Sequence, residues 1–184
     1  GGEIFCSCDK IKGSDLYLDY PSVGATENLI LASVFCEGET VIRNAAKEPE
    51  IVDLMKFLNK MGASIKGCGT ATIKIQGVKK LHGTEYKPMF DRIEAGTFLL
   101  ASAITGGNIE ISNCLVENIY PLVHKICNNT CNIIINSDII YVKSYKRKIG
   151  FDFSTSPYPG FPTDLQPQTM ALLSVSQGIS VVNE

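Results

Sequence analysis

Thr26-Glu27-Asn28-Leu29-Ile30-Leu31-Ala32-Ser33-Val34-Phe35, a turn at Glu37-Gly38, then Thr40-Val41-Ile42-Arg43-Asn44 is the succession on which the fold turns. A small or polar lead-in opens an apolar run of helical length, a glycine turn ends it, and a β-rich stretch follows. The pattern recurs as Gly96-Thr97-Phe98-Leu99-Leu100-Ala101-Ser102-Ala103-Ile104, Gly106-Gly107 and Ile109-Glu110-Ile111-Ser112-Asn113. It appears once more as Thr169-Met170-Ala171-Leu172-Leu173-Ser174-Val175, Gly178 and Ile179-Ser180-Val181-Val182. Gly38 and Gly107 lie 69 residues apart and Gly107 and Gly178 lie 71 apart, a period that marks a repeat architecture.

Outward from this run, Glu50 to Met61 places Ile51, Leu54, Leu58 and Met61 at helical spacing, and Gly62 stands where a helix closes. Ala63-Ser64-Ile65-Lys66 and Thr72-Ile73-Lys74-Ile75 read as strands joined through Gly67 to Gly69. Ile133 to Ile135 and Ile139 to Val142 take the same places in the second unit, joined by Asn136, Ser137 and Asp138. The order is helix, strand, helix, strand, strand. The first helix of each unit is apolar on nearly every side, which predicts buried helices with sheets outside. In the second unit Asn128 to Asn132 replaces the Asn59 to Ala63 stretch, so the closing glycine is lost; asparagine is the residue that next best adopts the left-handed conformation. The same turn is expected there, with poorer local stability. Lys79 to Phe90, with Gly83 and Pro88 and no helical period, reads as a linker, an ordinary loop inside one domain being the alternative.

Composition excludes several classes. The chain has 184 residues, 45% of them hydrophobic, enough for a substantial core. A net charge of -2 predicts no nucleic-acid partner and no anionic membrane surface, so an anionic ligand must be held locally. The longest apolar runs fall far short of the roughly 20 residues of a membrane helix. Seven cysteines at Cys6, Cys8, Cys36, Cys68, Cys114, Cys127 and Cys131 are odd in number and scattered, which points to reduced, mostly buried thiols in a cytosolic protein. His82 and His124 stand alone, so no metal is expected. The chain opens at Gly1-Gly2 without a methionine and reads as cut from something longer.

Four strings carry a resemblance: Pro21-Ser22-Val23-Gly24-Ala25-Thr26-Glu27-Asn28, Asn44-Ala45-Ala46-Lys47-Glu48-Pro49-Glu50-Ile51-Val52-Asp53, Asp91-Arg92-Ile93-Glu94-Ala95-Gly96-Thr97, and Phe161-Pro162-Thr163-Asp164-Leu165-Gln166. In this order and spacing the chain resembles the enolpyruvyl transferases that act on UDP-N-acetylglucosamine; the shikimate-pathway relatives share the repeat but not these strings. The resemblance implies an inside-out α/β (α+β) fold of repeated βαβαββ units in two domains. It assigns residues 1–89 to the last part of the first domain and residues 90–184 to the first part of the second. It also implies transfer of the enolpyruvyl group of phosphoenolpyruvate to the sugar 3-hydroxyl, without cofactor, in the bacterial cytoplasm at the first committed step of peptidoglycan synthesis.

By that resemblance Asp164 is the base that takes the sugar-hydroxyl proton, where an aspartate before an apolar helix would otherwise read as a cap. Tyr20, Pro21, Ser22, Val23 and Gly24 match the stretch against the uridine diphosphate. A helix N-terminus suits an anion there, while a tight turn with a serine cap is the plain reading of the same residues. Tyr20 stands where other members carry a Lys or aromatic residue. Glu48 and Asp91 match carboxylates that line the cleft, Thr163 belongs to the Asp164 string, and Arg92 either contacts substrate or pairs with Glu94. Glu50 and Asp53 read as a helix N-terminus and a solvated face. The family's phosphoenolpyruvate-binding Lys-Asn pair, its loop with the reactive cysteine and its C-terminal arginines have no match in this chain. The chain alone is therefore expected to be inactive. A shikimate-type transferase and a non-catalytic nucleotide-sugar-binding module are the competing readings.

Overall fold

The computed structural model describes residues 2, 3, 5 and 7–184; the reading of Cys6 as a buried thiol, like that of the opening Gly1, lies outside the described residues. The chain divides into two compact units, residues 1–89 and 90–184, each with its own apolar core.

The first unit runs β1 (Asp15–Tyr17), α1 (Val23–Ser33), β2 (Glu39–Arg43), α2 (Pro49–Lys60), β3 (Ser64–Lys66) and β4 (Thr72–Gln76). Its sheet has the order β1-β2-β4-β3, with β1 parallel to β2 and the other pairs antiparallel. Period-two alternation sends Thr40, Ile42, Ile65, Ile73 and Ile75 inward, on the side of the core formed with Ile30 of α1, Val34 at its C-terminal cap, and Ile51, Met55 and Leu58 of α2. Gly62 ends α2 at φ +100°, with its N–H on Asn59 O and the Ala63 N–H on Leu58 O, the hydrogen-bond pair of a Schellman closure.

The second unit runs α3 (Arg92–Thr105), β5 (Asn108–Ile111), α4 (Tyr120–Ile126), β6 (Cys131–Asn136), β7 (Ile139–Ser144), β8 (Phe153–Ser154), α5 (Gln166–Ser174) and β9 (Val182–Asn183). An antiparallel sheet β5-β7-β6 covers α3, and a short parallel pair β8-β9 starts another sheet. The fold class is thus the expected α/β one, and the strand and helix succession read from the repeat is present.

Several details differ from the sequence reading. The apolar helices bury one face only: Leu31 of α1 is 50% exposed and Phe98 of α3 is 58% exposed. Within the Gly106-Gly107 turn after α3, Gly106 is the left-handed residue, at φ +76°. In the third repeat, residues 179–181 stay outside the strand, whose partner β8 offers only two residues; the Val181 N–H is taken instead by the Asp152 carboxylate at 2.7 Å. Asn128 does adopt the left-handed conformation, at φ 67°, but its N–H turns forward to Cys131 O, so the closure differs from that of Gly62. Of the described cysteines, Cys36, Cys114 and Cys131 are buried, Cys127 is half-buried, and Cys8 and Cys68 are exposed. No described helix is long and apolar enough to cross a membrane.

Asp53 is not on a solvated face. Its carboxylate accepts the Tyr86 hydroxyl at 2.8 Å and the Met89 N–H at 3.3 Å, and the Tyr86 ring packs 5.1 Å from that of Phe57. Residues 81–89 are therefore tied along α2, with the His82 N–H on Met61 O, although they form no helix or strand.

Candidate functional site

The four motif strings meet in pairs, one pair within each unit. In the first unit, Ser22 caps α1: its hydroxyl accepts the Ala25 N–H at 3.3 Å, and its carbonyl takes the Thr26 N–H. Thr26, fully buried, donates its hydroxyl to Ser22 O at 2.8 Å and accepts the Ala46 N–H at 3.0 Å. One hydroxyl thus fastens the turn Tyr20 to Gly24 to the loop Asn44 to Glu48. Asn44, at φ 54°, starts that loop and donates its side-chain amide to Leu18 O. At its end Glu48, 6% exposed, stands at the N-cap position of α2 and makes no side-chain cap.

Ser22, Val23 and Pro21 are half-buried, while Tyr20 and Gly24 are exposed. Gly24 has an ordinary helical backbone, and a Cβ there would meet nothing within 4 Å. Neither backbone conformation nor internal packing calls for a glycine at this point, so the space before the first turn of α1 is open to something outside the unit. Gly96 is the contrast, since a Cβ there would strike Leu165 at 2.7 Å. It is a packing glycine.

That contact joins the second pair of strings. Gly96 lets Leu165 sit against α3, and the Gln168 side-chain amide donates to the Thr97 hydroxyl at 3.1 Å. Asp91 caps α3, one carboxylate oxygen accepting the Ile93 N–H at 2.8 Å and the Glu94 N–H at 3.0 Å. Arg92 is 6% exposed, and its guanidinium lies over the Tyr158 ring, 5.9 Å from the centroid, within cation–π range. Tyr158, which the sequence reading did not single out, sits in a turn closed by Ser156 N–H to Phe161 O and contains the cis Tyr158-Pro159 bond.

Thr163 and Asp164 form a single 3-10 turn, Thr163–Leu165, ahead of α5, and both are exposed. Asp164 caps neither that turn nor α5, whose cap positions Pro162 and Leu165 make no side-chain cap, and its carboxylate accepts no hydrogen bond among the described residues. The capping alternative for Asp164 therefore falls: it stands two residues past the cap position Pro162 and one before the cap position Leu165 of α5. What is left is an exposed, uncommitted carboxylate at the positive end of a helix.

Exposed and close to a helix terminus in one unit, and carrying a carboxylate with no internal partner in the other, these two places are chemically suited to an anion and to proton abstraction. The α/β units have the fold of the enolpyruvyl transferases: the transferase NikO from Streptomyces tendae superposes over 93% of this chain and 45% of its own with a TM-score of 0.73 at 18% identity. EPSP synthase from Acinetobacter baumannii follows with a TM-score of 0.57 at 21% identity, over 94% of this chain and 41% of its own. The sequence model described as EPSP synthase (3-phosphoshikimate 1-carboxyvinyltransferase) matches residues 3–184, and the chain belongs to that family. Within it, the chain is 51% identical over 183 residues to UDP-N-acetylglucosamine 1-carboxyvinyltransferase 1 of Caldanaerobacter subterraneus subsp. tengcongensis. It is 52% identical over 194 residues to UDP-N-acetylglucosamine 1-carboxyvinyltransferase of Finegoldia magna. Both alignments take in all of this chain but only 44% and 46% of those proteins, so the chain spans less than half of their length.

Proposed function

We propose that this chain is part of an enzyme that transfers the enolpyruvyl group of phosphoenolpyruvate to the 3-hydroxyl of UDP-N-acetylglucosamine and releases phosphate. The observation that carries this reading is identity at half of all positions to proteins named for that reaction. The EPSP synthase structure from Acinetobacter baumannii is a neighbour at 21% identity, a likeness of fold alone. Residues 1–89 then belong to one domain of the enzyme and residues 90–184 to the other, and the reaction belongs to peptidoglycan synthesis in the bacterial cytoplasm.

Under this reading the proton of the sugar hydroxyl goes to Asp164, whose exposed carboxylate accepts no hydrogen bond among the described residues. Thr163 lies beside it. The first turn of α1 offers the Val23 and Gly24 N–H groups to the diphosphate; Gly24 leaves room for close approach, and Tyr20 and Pro21 flank it. The Ser22 hydroxyl accepts the Ala25 N–H of its own helix, which holds the turn and leaves its proton available to donate. Asp91 likewise spends one oxygen on α3, and Arg92 is held by Tyr158, so both organise the entry to α3. Glu48 is brought to the Ser22 turn through Thr26 and Ala46. The groups that bind phosphoenolpyruvate and protonate its vinyl carbon are assigned to no residue here, so the chain by itself is expected to be inactive. The test is binding of UDP-N-acetylglucosamine and phosphate release by the complete gene product, wild type beside Asp164→Ala. Loss of turnover with retained binding of phosphoenolpyruvate is the expected result; undiminished turnover overturns the role of Asp164.

A further inference from the structure

The net charge of -2 conceals a strongly uneven distribution. Between Tyr120 and Gly150, Lys125, Lys143, Lys146, Arg147 and Lys148 stand against the single carboxylate of Asp138, a local charge of +4 that leaves -6 for the rest of the chain. The basic groups adjoin a sheet face that mixes polar and apolar side chains. On the outer side of β5-β7-β6, Tyr141 lies between Ile134 and Glu110, and in the next row Lys143 lies between Asn108 and Asn132. All six are exposed, Ile134 at 59%, and they line an open depression of about 290 Å³. The chain leaving β7 carries Lys146, Arg147 and Lys148 and then Ile149, itself 48% exposed. Lys146 makes no hydrogen bond or ion pair among the described residues. Arg147 gives only its Nε to Gln177, leaving its terminal amino groups to solvent.

We infer that this face of the second unit is a peripheral docking surface for an anionic lipid bilayer. Charge complementarity selects an anionic partner, and the aliphatic Ile134 and Ile149 select among anionic partners. A headgroup layer takes up such side chains at its acyl boundary while its phosphates meet lysine and arginine. Nucleic acid offers phosphates but stacks aromatic rings rather than isoleucine, and this face has Tyr141 alone for that purpose. Glu110 is the one carboxylate on the face and weakens the attraction without reversing its sign.

The test is co-sedimentation of the complete gene product with phosphatidylcholine vesicles, with and without phosphatidylglycerol. Binding is expected only to the anionic vesicles. It is expected to fall about a hundredfold in Lys143→Glu/Lys146→Glu/Arg147→Glu, taking about fivefold per basic group at an anionic surface. It is also expected to vanish as salt rises from about 0.1 to about 1 M, which shortens the Debye length from about 10 to about 3 Å. Ile134→Ser/Ile149→Ser, folded by circular dichroism, keeps the charge and is expected to bind at least about tenfold more weakly. Equal binding to both vesicle types, no binding to either, or anionic binding that survives the charge reversal overturns the inference. Binding to polyglutamate or duplex DNA that ignores the isoleucine changes overturns it in favour of a polyanion partner.

Discussion

Replacing Thr26 by valine keeps its shape and removes one hydroxyl, and the cost can be worked out from two bonds. The Ser22 carbonyl that receives the hydroxyl also takes the Thr26 N–H at 3.0 Å, so it is not left empty. The Ala46 N–H is left empty: it is buried, Ala46 being 1% exposed, and its partner is the Thr26 oxygen at 3.0 Å. An orphaned buried amide costs about 1–3 kcal/mol, against about 1 kcal/mol net for an ordinary exchange of partners. Thr26→Val should therefore destabilise the first unit by about 2 kcal/mol. Thr169→Val is the internal control, because the Thr169 hydroxyl donates to Leu165 O and, among the described residues, accepts from nothing; it should cost no more than about 1 kcal/mol. Urea denaturation gives the totals, and hydrogen exchange at the Ala46 amide reads the bond itself. Thr26→Val within about 0.5 kcal/mol of wild type, with the Ala46 amide still protected, would refute the claim that this hydroxyl joins the two motif strings.

Tyr86 gives a pH signature. Burial and the Asp53 carboxylate push its phenol from near 10 up to about 12. The raised value means that the neutral phenol is favoured on folding: the stabilisation is whole below about pH 10 and is lost as pH climbs from there to about 12. Tyr86→Phe should remove a tyrosinate that forms near pH 12 from the ultraviolet titration and flatten that alkaline loss. Asn128 sits at φ 67°, so Asn128→Ala should cost about 1 kcal/mol in thermal unfolding while Asn128→Gly should be neutral or slightly stabilising. Burial pushes the Cys114 and Cys131 thiols up to about 11, so maleimide near neutral pH should label the exposed Cys8 and Cys68 and leave those two unmodified in the folded protein, as peptide mass mapping would report.

The repeat was legible because its signals are local. Apolar runs, the closing Gly62 and the alternation in Thr72 to Ile75 each follow from the residue and its neighbours. The left-handed Asn128 was legible for the same reason. Asp53 was misread because helical spacing places it on an outer face, and nothing in the string says that Tyr86, 33 residues away, folds back onto it. Thr26 was visible as a repeated position, yet its bond to Ala46 is a tertiary fact. The pairing of Arg92 with Tyr158 is of the same kind, between residues 66 positions apart. Asp164 shows the limit from the other side: aspartate before a helix ordinarily caps it, and only the placement of Pro162 and Leu165 at the cap positions removes that reading. Apolar helices that leave Leu31 and Phe98 open follow from hydrophobicity being read without knowing what packs on each helix.

The account rests most directly on calorimetric titration of UDP-N-acetylglucosamine into the complete gene product and its Asp164→Ala variant. Saturable binding by the wild type, weakened about tenfold or more in a variant that is equally well folded, is the predicted result, since losing one hydrogen bond to a charged group costs about 1.5–3 kcal/mol. Binding of equal strength in both proteins, or none in a folded wild type, would contradict it.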